Sequence, residues 1–213
     1  MRRTSWKLVV GVMGIAAIIA LIAGCGGPKK VGERPGRPIA AEQPAQPQAA
    51  PIAESGASVI DITAAGAYAP TWVVRAKKCD LSASNGSLVC NVVGGTDTSG
   101  GQYGGVKFKV GSIKAIAVDV TFTNPENVVG AFMDLTVGTN AKQRVRWDFI
   151  LPSGRHMPAG KQSFTFRPDK GSGGFVFEGG PATMDKVTHA SFFIRVQAGS
   201  TSGFQLHRMV VEK

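Results

Sequence analysis

Apolar and polar residues alternate one by one along much of the chain after residue 56. Residues 116–123, 144–149 and 189–197 show the pattern most clearly, with an apolar side chain at every second position. A period of two places the apolar side chains on one face of a strand and the polar ones on the other. Strands of this kind pair into antiparallel sheets with one buried and one solvated face. The pattern therefore predicts β-strands in these three segments.

Shorter apolar runs between turn-forming residues predict the remaining strands. They are expected at 58–63, 71–78, 87–93, 103–110, 128–138, 161–167, 173–178 and 203–212. The chain has 28 glycines and only 18% charged residues, a composition that suits turn-rich β structure better than helices. About ten or eleven strands predict an all-β domain over residues 57–213, a two-sheet antiparallel sandwich like a jelly roll.

The first residues of the chain have a different pattern. A basic start precedes an apolar run from Leu8 to Ala23, which is typical of an export signal. The run closes with Ile-Ala-Gly-Cys at positions 22–25, which resembles the bacterial lipobox. This resemblance implies a lipoprotein signal peptide over 1–24, cleavage before Cys25 and acylation of its thiol. An uncleaved signal anchor is the alternative, because the uncharged run approaches the ~20 residues that a spanning helix needs.

Residues 26–56 contain six of the chain's 12 prolines and almost no apolar side chains to bury. Such a composition cannot offset its ordering entropy, so we predict a disordered tether over 25–56 that begins at the lipidated Cys25. The expected partner there is membrane lipid, and the expected location is the bacterial cell envelope. In some bacteria an aspartate directly after the lipidated cysteine retains a lipoprotein in the inner membrane. Gly26 and Gly27 follow Cys25 here, so we expect the outer membrane if the cell has one, and otherwise the outer face of the plasma membrane.

Cys79 and Cys90 form an even pair in a chain that we expect to be exported, which predicts a disulfide. A two-residue Asn-Gly turn between them would place Cys79 opposite Val92. A four-residue loop at 83–86 would place Cys79 opposite Cys90, and we favour this loop because it allows the bridge. A redox or metal pair is the alternative, but the spacing is not that of a CxxC motif.

Sequence motifs of catalysis and metal binding are absent. The three histidines form no HxxxH pair, and there is no GxSxG, phosphate-binding loop or EF-hand loop. Asp119, Asp134 and Asp148 leave a remote glycosidase-type carboxylate pair open. The formal net charge is +10, but the basic residues after 56 are scattered, which argues against nucleic-acid binding. We therefore expect a binding protein without enzyme activity, metal or cofactor.

Polar side chains on the predicted solvated faces form a candidate ligand surface. Arg144, Arg146 and Asp148 alternate with apolar residues and must project from one side of their strand. The complete set of predicted ligand residues is Phe132, Asp134, Arg144, Arg146, Asp148, His189, Phe193 and Arg195. Planar polar groups beside an apolar ring suit sugar hydroxyls. A merely solvated sheet face is the alternative. Trp147 is expected in the core, and Trp72 in either the core or a ligand loop.

The end of the chain adds a family resemblance. A glycine-containing turn at 199–203 precedes Phe204, Leu206 and Val211 in the order Phe-x-Leu-x-x-x-x-Val, and residues 101–108 form a glycine-rich early strand. Both segments resemble those of jelly-roll carbohydrate-binding modules and galactose-binding-like domains. The resemblance implies a glycan or envelope polysaccharide as ligand. An assembly lipoprotein that contacts another envelope protein is the alternative.

Overall fold

A computed structural model describes residues 56–138, 143–152, 154–168, 170–180 and 184–213. The predicted signal peptide, Cys25 and the tether lie outside the described residues. The strands are β1 (Ala57–Val59), β2 (Tyr68–Val74), β3 (Ala76–Ser84), β4 (Ser87–Gly94), β5 (Gln102–Lys109), β6 (Ala115–Thr123), β7 (Val128–Val137), β8 (Arg144–Ile150), β9 (Lys161–Phe166), β10 (Val176–Gly179), β11 (Val187–Val196) and β12 (Thr201–Glu212). Short 3-10 helices at Pro125–Asn127 and Met184–Lys186 precede β7 and β11. Within the described ranges, no helix is long and apolar enough to cross a membrane.

The strands form two antiparallel sheets. The first has the order β3-β4-β12-β6-β9, with β1 beside β12, and the second has the order β10-β8-β7-β11-β5-β2. Apolar side chains from both sheets meet in one buried cluster that includes Phe166, Phe192 and Phe204. The predicted two-sheet antiparallel sandwich is therefore confirmed.

Strand β8 has the two faces that its alternation predicts. Val145, Trp147 and Phe149 are buried, whereas Arg144 and the other two polar residues of the strand keep partial exposure on the opposite face. The indole of Trp147 is fully buried, and its N–H donates to the carbonyl of Lys170 at 2.7 Å. Trp147 therefore belongs to the core, as expected.

The segment predicted as a single strand over 71–78 is divided between the sheets. Strand β2 ends at Val74 in the second sheet, and β3 begins at Ala76 in the first. Arg75 between them has φ 57°, a left-handed conformation that turns the chain sharply. The prediction was wrong because residues 71–78 contain no glycine or proline that would mark this corner in the sequence.

The register around the cysteines also differs from the prediction. Asn85 and Gly86 adopt φ 50° and 73°, and Ser84 pairs with Ser87, so the hairpin closes with a two-residue turn. Positive φ at both positions gives the twist that flanking strands favour, and the predicted four-residue loop is wrong.

This turn places Cys79 opposite Val92 and Cys90 opposite Leu81. The two Sγ atoms lie 3.7 Å apart as free thiols. The hydrogen bond with the Cys79 sulfur and, after it, burial raise the pKa of Cys90, whereas contact with Cys90 lowers the pKa of the more exposed Cys79. The cysteines are therefore diagonal neighbours across one strand pair, and their oxidation to a disulfide stays a prediction.

Candidate functional site

The outward face of the second sheet gathers most of the predicted ligand residues. Rows of side chains cross β11, β7 and β8 in that order: His189, Thr136 and Arg144; Ser191, Asp134 and Arg146; Phe193, Phe132 and Asp148. Arg195 lies two residues beyond Phe193 on the same face, where it faces Gly130 and Tyr103. The structure therefore brings seven of the eight residues into one patch, with Arg195 at its end.

The two phenylalanines of this patch are buried rather than open to a ligand. Their rings stack with centroids 4.9 Å apart and an interplanar angle of 11°. Trp72 stacks on Phe193 in turn, at 4.9 Å and 18°. Phe193 is fully buried and Phe132 is 4% exposed. Their predicted role as an apolar ring face for a ligand is wrong, because other rings cover them. Trp72 stacks on Phe193, and Tyr103 packs against Phe132 with ring centres 5.8 Å apart. Trp72 and Tyr103 are half-buried and border solvent.

A local irregularity brings Trp72 onto this face. Its φ is 53°, a strained value for a bulky residue, and the pairing of β2 with β5 shifts between Thr71 and Val74. Gly105 of β5 pairs with both Thr71 and Phe193. A Cβ at position 105 would lie 2.2 Å from the Cβ of Phe193, so only glycine permits this close approach.

Arg146 joins two carboxyl groups beside the stacked rings. Its Nε donates to Asp134 Oδ1 at 2.8 Å and lies 3.1 Å from Asp148 Oδ1. Its guanidinium carbon is 5.2 Å from the ring centre of Trp72 and 5.5 Å from those of Phe132 and Phe193. This cation holds the patch together, because it is shared by two acids and three rings.

The carboxyl group of Asp134 is buried with unused hydrogen-bonding capacity. Its side chain is 3% exposed, and within the described residues Oδ2 has no hydrogen-bond partner. Burial raises the pKa of Asp134 to about 6, against the opposing charges of Arg146 and Arg144. Burial also raises the pKa of Asp148, whose Oδ1 likewise lacks a hydrogen bond within the described residues. An unsatisfied buried acceptor costs about 1–3 kcal/mol, which a ligand that donates a hydrogen bond could recover.

A pocket of about 490 Å³ opens over Asp134. Its lining consists of Thr71, Trp72, Lys107, Asp134, Thr136, Gly138, Arg144, Thr188, His189 and Ser191. Arg144 forms part of its wall, with Nε 3.8 Å from Asp134 Oδ2 and the guanidinium carbon 4.8 Å from the centre of the Trp72 ring. The volume lies within the ~300–1,000 Å³ range of small-molecule sites. Hydroxyl, carboxyl, guanidinium and indole groups therefore converge on one space.

Sequence reasoning missed several of the lining residues. Trp72 was left open between two roles, and Lys107, Ser191 and Thr71 were not singled out. The paired glycines at 104–105 were the available signal, because glycine inside a strand marks a close approach of another group.

Asp119 belongs to the first sheet, where Ser163 donates to it at 2.6 Å and Lys161 lies 3.2 Å away. A carboxylate pair that includes Asp119 is therefore wrong.

No protein-family model matches the sequence, and no curated protein matches it. Solved structures with a similar fold include the family 11 carbohydrate-binding module from Clostridium thermocellum in complex with a β-1,3-1,4-mixed-linked tetrasaccharide. The two sequences are 12% identical with a TM-score of 0.46, over 73% of this chain and 95% of the module.

A family 29 carbohydrate-binding module from Piromyces equi has 10% identity and a TM-score of 0.40, over 74% of this chain and 90% of that one. The agarase AgWH50C has 9% identity and a TM-score of 0.46, over 74% of this chain and 25% of the enzyme. These similarities are distant, and what the pocket can bind follows from its own residues.

Proposed function

We propose that this chain is a lipid-anchored envelope protein whose β-sandwich binds a saccharide, and that the pocket over Asp134 is the binding site. One observation carries the proposal. Asp134 Oδ2 is a buried acceptor without a hydrogen-bond partner within the described residues, at a pocket that an aromatic side chain also lines. A carboxylate has only acceptors, so a ligand that pairs with Oδ2 must supply a donor.

A sugar hydroxyl is the donor that best fits the rest of the lining. Hydroxyl groups of Thr71, Thr136, Thr188 and Ser191 can each donate or accept, as can the hydroxyls of a sugar ring. The indole of Trp72 adds an apolar surface for the C–H groups of such a ring. A purely apolar ligand would leave Asp134 Oδ2 desolvated and without a hydrogen bond, which makes such a ligand the poorer occupant.

The arrangement favours binding over hydrolysis. A glycosidase needs one protonated and one ionised carboxyl group on either side of a scissile bond. Asp134 and Asp148 instead share one cation, since the Nε of Arg146 lies within 3.1 Å of an oxygen of each carboxyl group. We therefore propose a role without catalysis.

The anchor is supported by sequence alone. The Ile-Ala-Gly-Cys sequence at 22–25 and the preceding apolar run motivate acylation of Cys25. The 31 residues of 26–56 would then separate the sandwich from the membrane, by roughly 30 Å if they form a flexible coil. Such a tether would let the pocket reach a polysaccharide at the cell surface.

A glycan array with the purified full-length chain tests the binding function. We expect saturable binding to one class of saccharide and its loss in the Trp72→Ala variant. Val73→Ala is the matched control, because Val73 is the next residue of β2 and is 49% exposed. An array on which the wild-type chain binds nothing would contradict the proposal and favour a protein partner in the envelope instead.

A further inference from the structure

The charges around the pocket narrow the class of saccharide. Its lining includes the cations Lys107 and Arg144 but a single carboxyl group, that of Asp134. Arg146 already donates a hydrogen bond to Asp134 at 2.8 Å. The two lining cations therefore exceed the negative charge that the described residues of the pocket supply.

The guanidinium of Arg144 makes no hydrogen bond to any other residue that the structure describes, so its donors can serve a ligand. Its Nε is 3.8 Å from Asp134 Oδ2, which is beyond hydrogen-bond distance. In the part of the chain that the structure describes, no other carboxylate lies within ion-pair distance of this guanidinium. The contact with the Trp72 ring holds the group at 4.8 Å, and the side chain is still 32% exposed. A guanidinium that is held in place, with N–H groups that make no hydrogen bond to the described residues, is suited to a planar carboxylate.

Lys107 lies on the other side of Asp134. In the second sheet, Lys107 of β5 pairs with Ser191 of β11, and Ser191 pairs with Asp134 of β7. Arg144 belongs to β8, the next strand beyond β7. Arg144 is two residues along β8 from Arg146, which pairs with Asp134. With strands about 4.8 Å apart and about 3.4 Å per residue, Lys107 and Arg144 stand roughly 16 Å apart at the backbone, with the acceptor between them. A ligand over Asp134 thus meets a cation on either side.

We infer that the pocket binds uronate-containing saccharides. A ring carboxylate accepts hydrogen bonds from Arg144, a second acidic unit lies near Lys107, and a hydroxyl donates to Asp134 Oδ2. This inference rests on the proposed saccharide-binding function and specifies its ligand. A neutral saccharide would satisfy Asp134 but offer no carboxylate to Arg144 or Lys107, neither of which has a carboxylate at hydrogen-bond distance within the described residues.

Calorimetric titration of the full-length protein with matched oligosaccharides tests the inference. Each oligomer of galacturonate, glucuronate or mannuronate is compared with the same oligomer after reduction of its carboxyl groups to neutral alcohols. We expect at least one acidic oligomer to bind about 10- to 100-fold more tightly than its reduced form, as charge-assisted hydrogen bonds would give. The preference should shrink as salt is added.

Two variants and a control locate the effect. Arg144→Gln and Lys107→Gln should each reduce the ratio of acidic to neutral affinity to less than about threefold, since each removes one of the two cations. Arg208→Gln removes one positive charge from the exposed surface of β12 in the other sheet and should leave the ratio unchanged. If Arg144→Gln does not fold, Lys107→Gln still tests the inference, because Lys107 is exposed and its replacement should leave the fold intact.

The two levels of the proposal fail in different ways. Equal binding of the acidic and reduced oligomers, or binding of neutral saccharides alone, would overturn the uronate inference and leave the saccharide-binding function standing. Absence of binding to every saccharide on the array and in the titrations would overturn both. An unchanged ratio in both Arg144→Gln and Lys107→Gln would overturn the assignment to this pocket.

Discussion

Replacement of Arg146 by methionine should destabilise the sandwich in a manner that depends on pH. Methionine keeps much of the volume of the arginine stem but removes the charge that Asp134 and Asp148 share. One part of the loss in the free energy of unfolding is independent of pH: the cation–π contact with three rings, worth about 0.5–2 kcal/mol. The carboxyl groups add a larger, pH-dependent loss.

The sign of that loss follows from Asp134. Its pKa in the folded protein is about 6 and lies above the ordinary value of 3.8, so the native state holds the extra proton between these values. Its contribution to stability is therefore most favourable below pH 4 and declines as pH rises to 6. Without Arg146 the pKa rises further, and the decline continues above pH 6.

The magnitude can be worked from the same values. At pH 5 Asp134 is largely protonated in both folded proteins, so its charge adds little to the contact loss of about 0.5–2 kcal/mol. Each pH unit above 6 adds up to about 1.4 kcal/mol, until the pKa of the variant is reached. At pH 8 we expect a loss of about 3–5 kcal/mol, which is the usual cost of breaking a buried ion pair.

Denaturant unfolding of both proteins at pH 5, 6, 7 and 8 measures this difference. Arg144→Met is the matched control, because Arg144 lies on the same strand face but is farther from Asp134 than Arg146 is. Its Nε is 3.8 Å from the carboxylate, and its side chain is partly in solvent. Its loss should stay below about 1 kcal/mol across the range. A loss in Arg146→Met that is the same at pH 5 and pH 8 would refute the reasoning.

Three further predictions concern the core, the cysteines and the anchor. Trp147→Ala should lower the free energy of unfolding by about 3–5 kcal/mol, because the indole is fully buried; a melting temperature within error of wild type would contradict this. Peptide mapping without reductant should find Cys79 linked to Cys90 in exported protein, since their sulfurs are already in contact, and two free thiols would refute the bridge. Intact-mass analysis should find an acylated N-terminus at Cys25, whereas a chain that starts at Met1 would disprove the lipobox assignment.

The alternation of the sequence was enough to predict strands and their faces. In β8 it assigned Trp147 to the core and Arg144 and Arg146 to the opposite face, because a period of two leaves no other choice once the strand is established. It also placed Phe132 on the ligand side of the sheet. The local pattern therefore predicts the fold class and the side of its strand to which each residue projects.

Contacts between distant segments could not be read in this way. Phe193 is covered by Trp72, whose position depends on a positive φ and a register shift that no alternation signals. The cysteine register depended on the choice between two turn lengths, and the shorter turn won because Asn85 and Gly86 both adopt positive φ. Strained positions of this kind are where local patterns are weakest as guides.

The most direct test of the central claim compares two aspartate variants by calorimetric titration with the saccharide that the array selects. Asp134→Asn removes the charged acceptor at the pocket, whereas Asp119→Asn makes the same change at a paired aspartate on the other sheet. We expect Asp134→Asn to weaken binding by about 1–3 kcal/mol, or roughly 5- to 150-fold, and Asp119→Asn to leave it unchanged. Wild-type affinity in Asp134→Asn, with its fold intact, would contradict the claim that this pocket binds the saccharide.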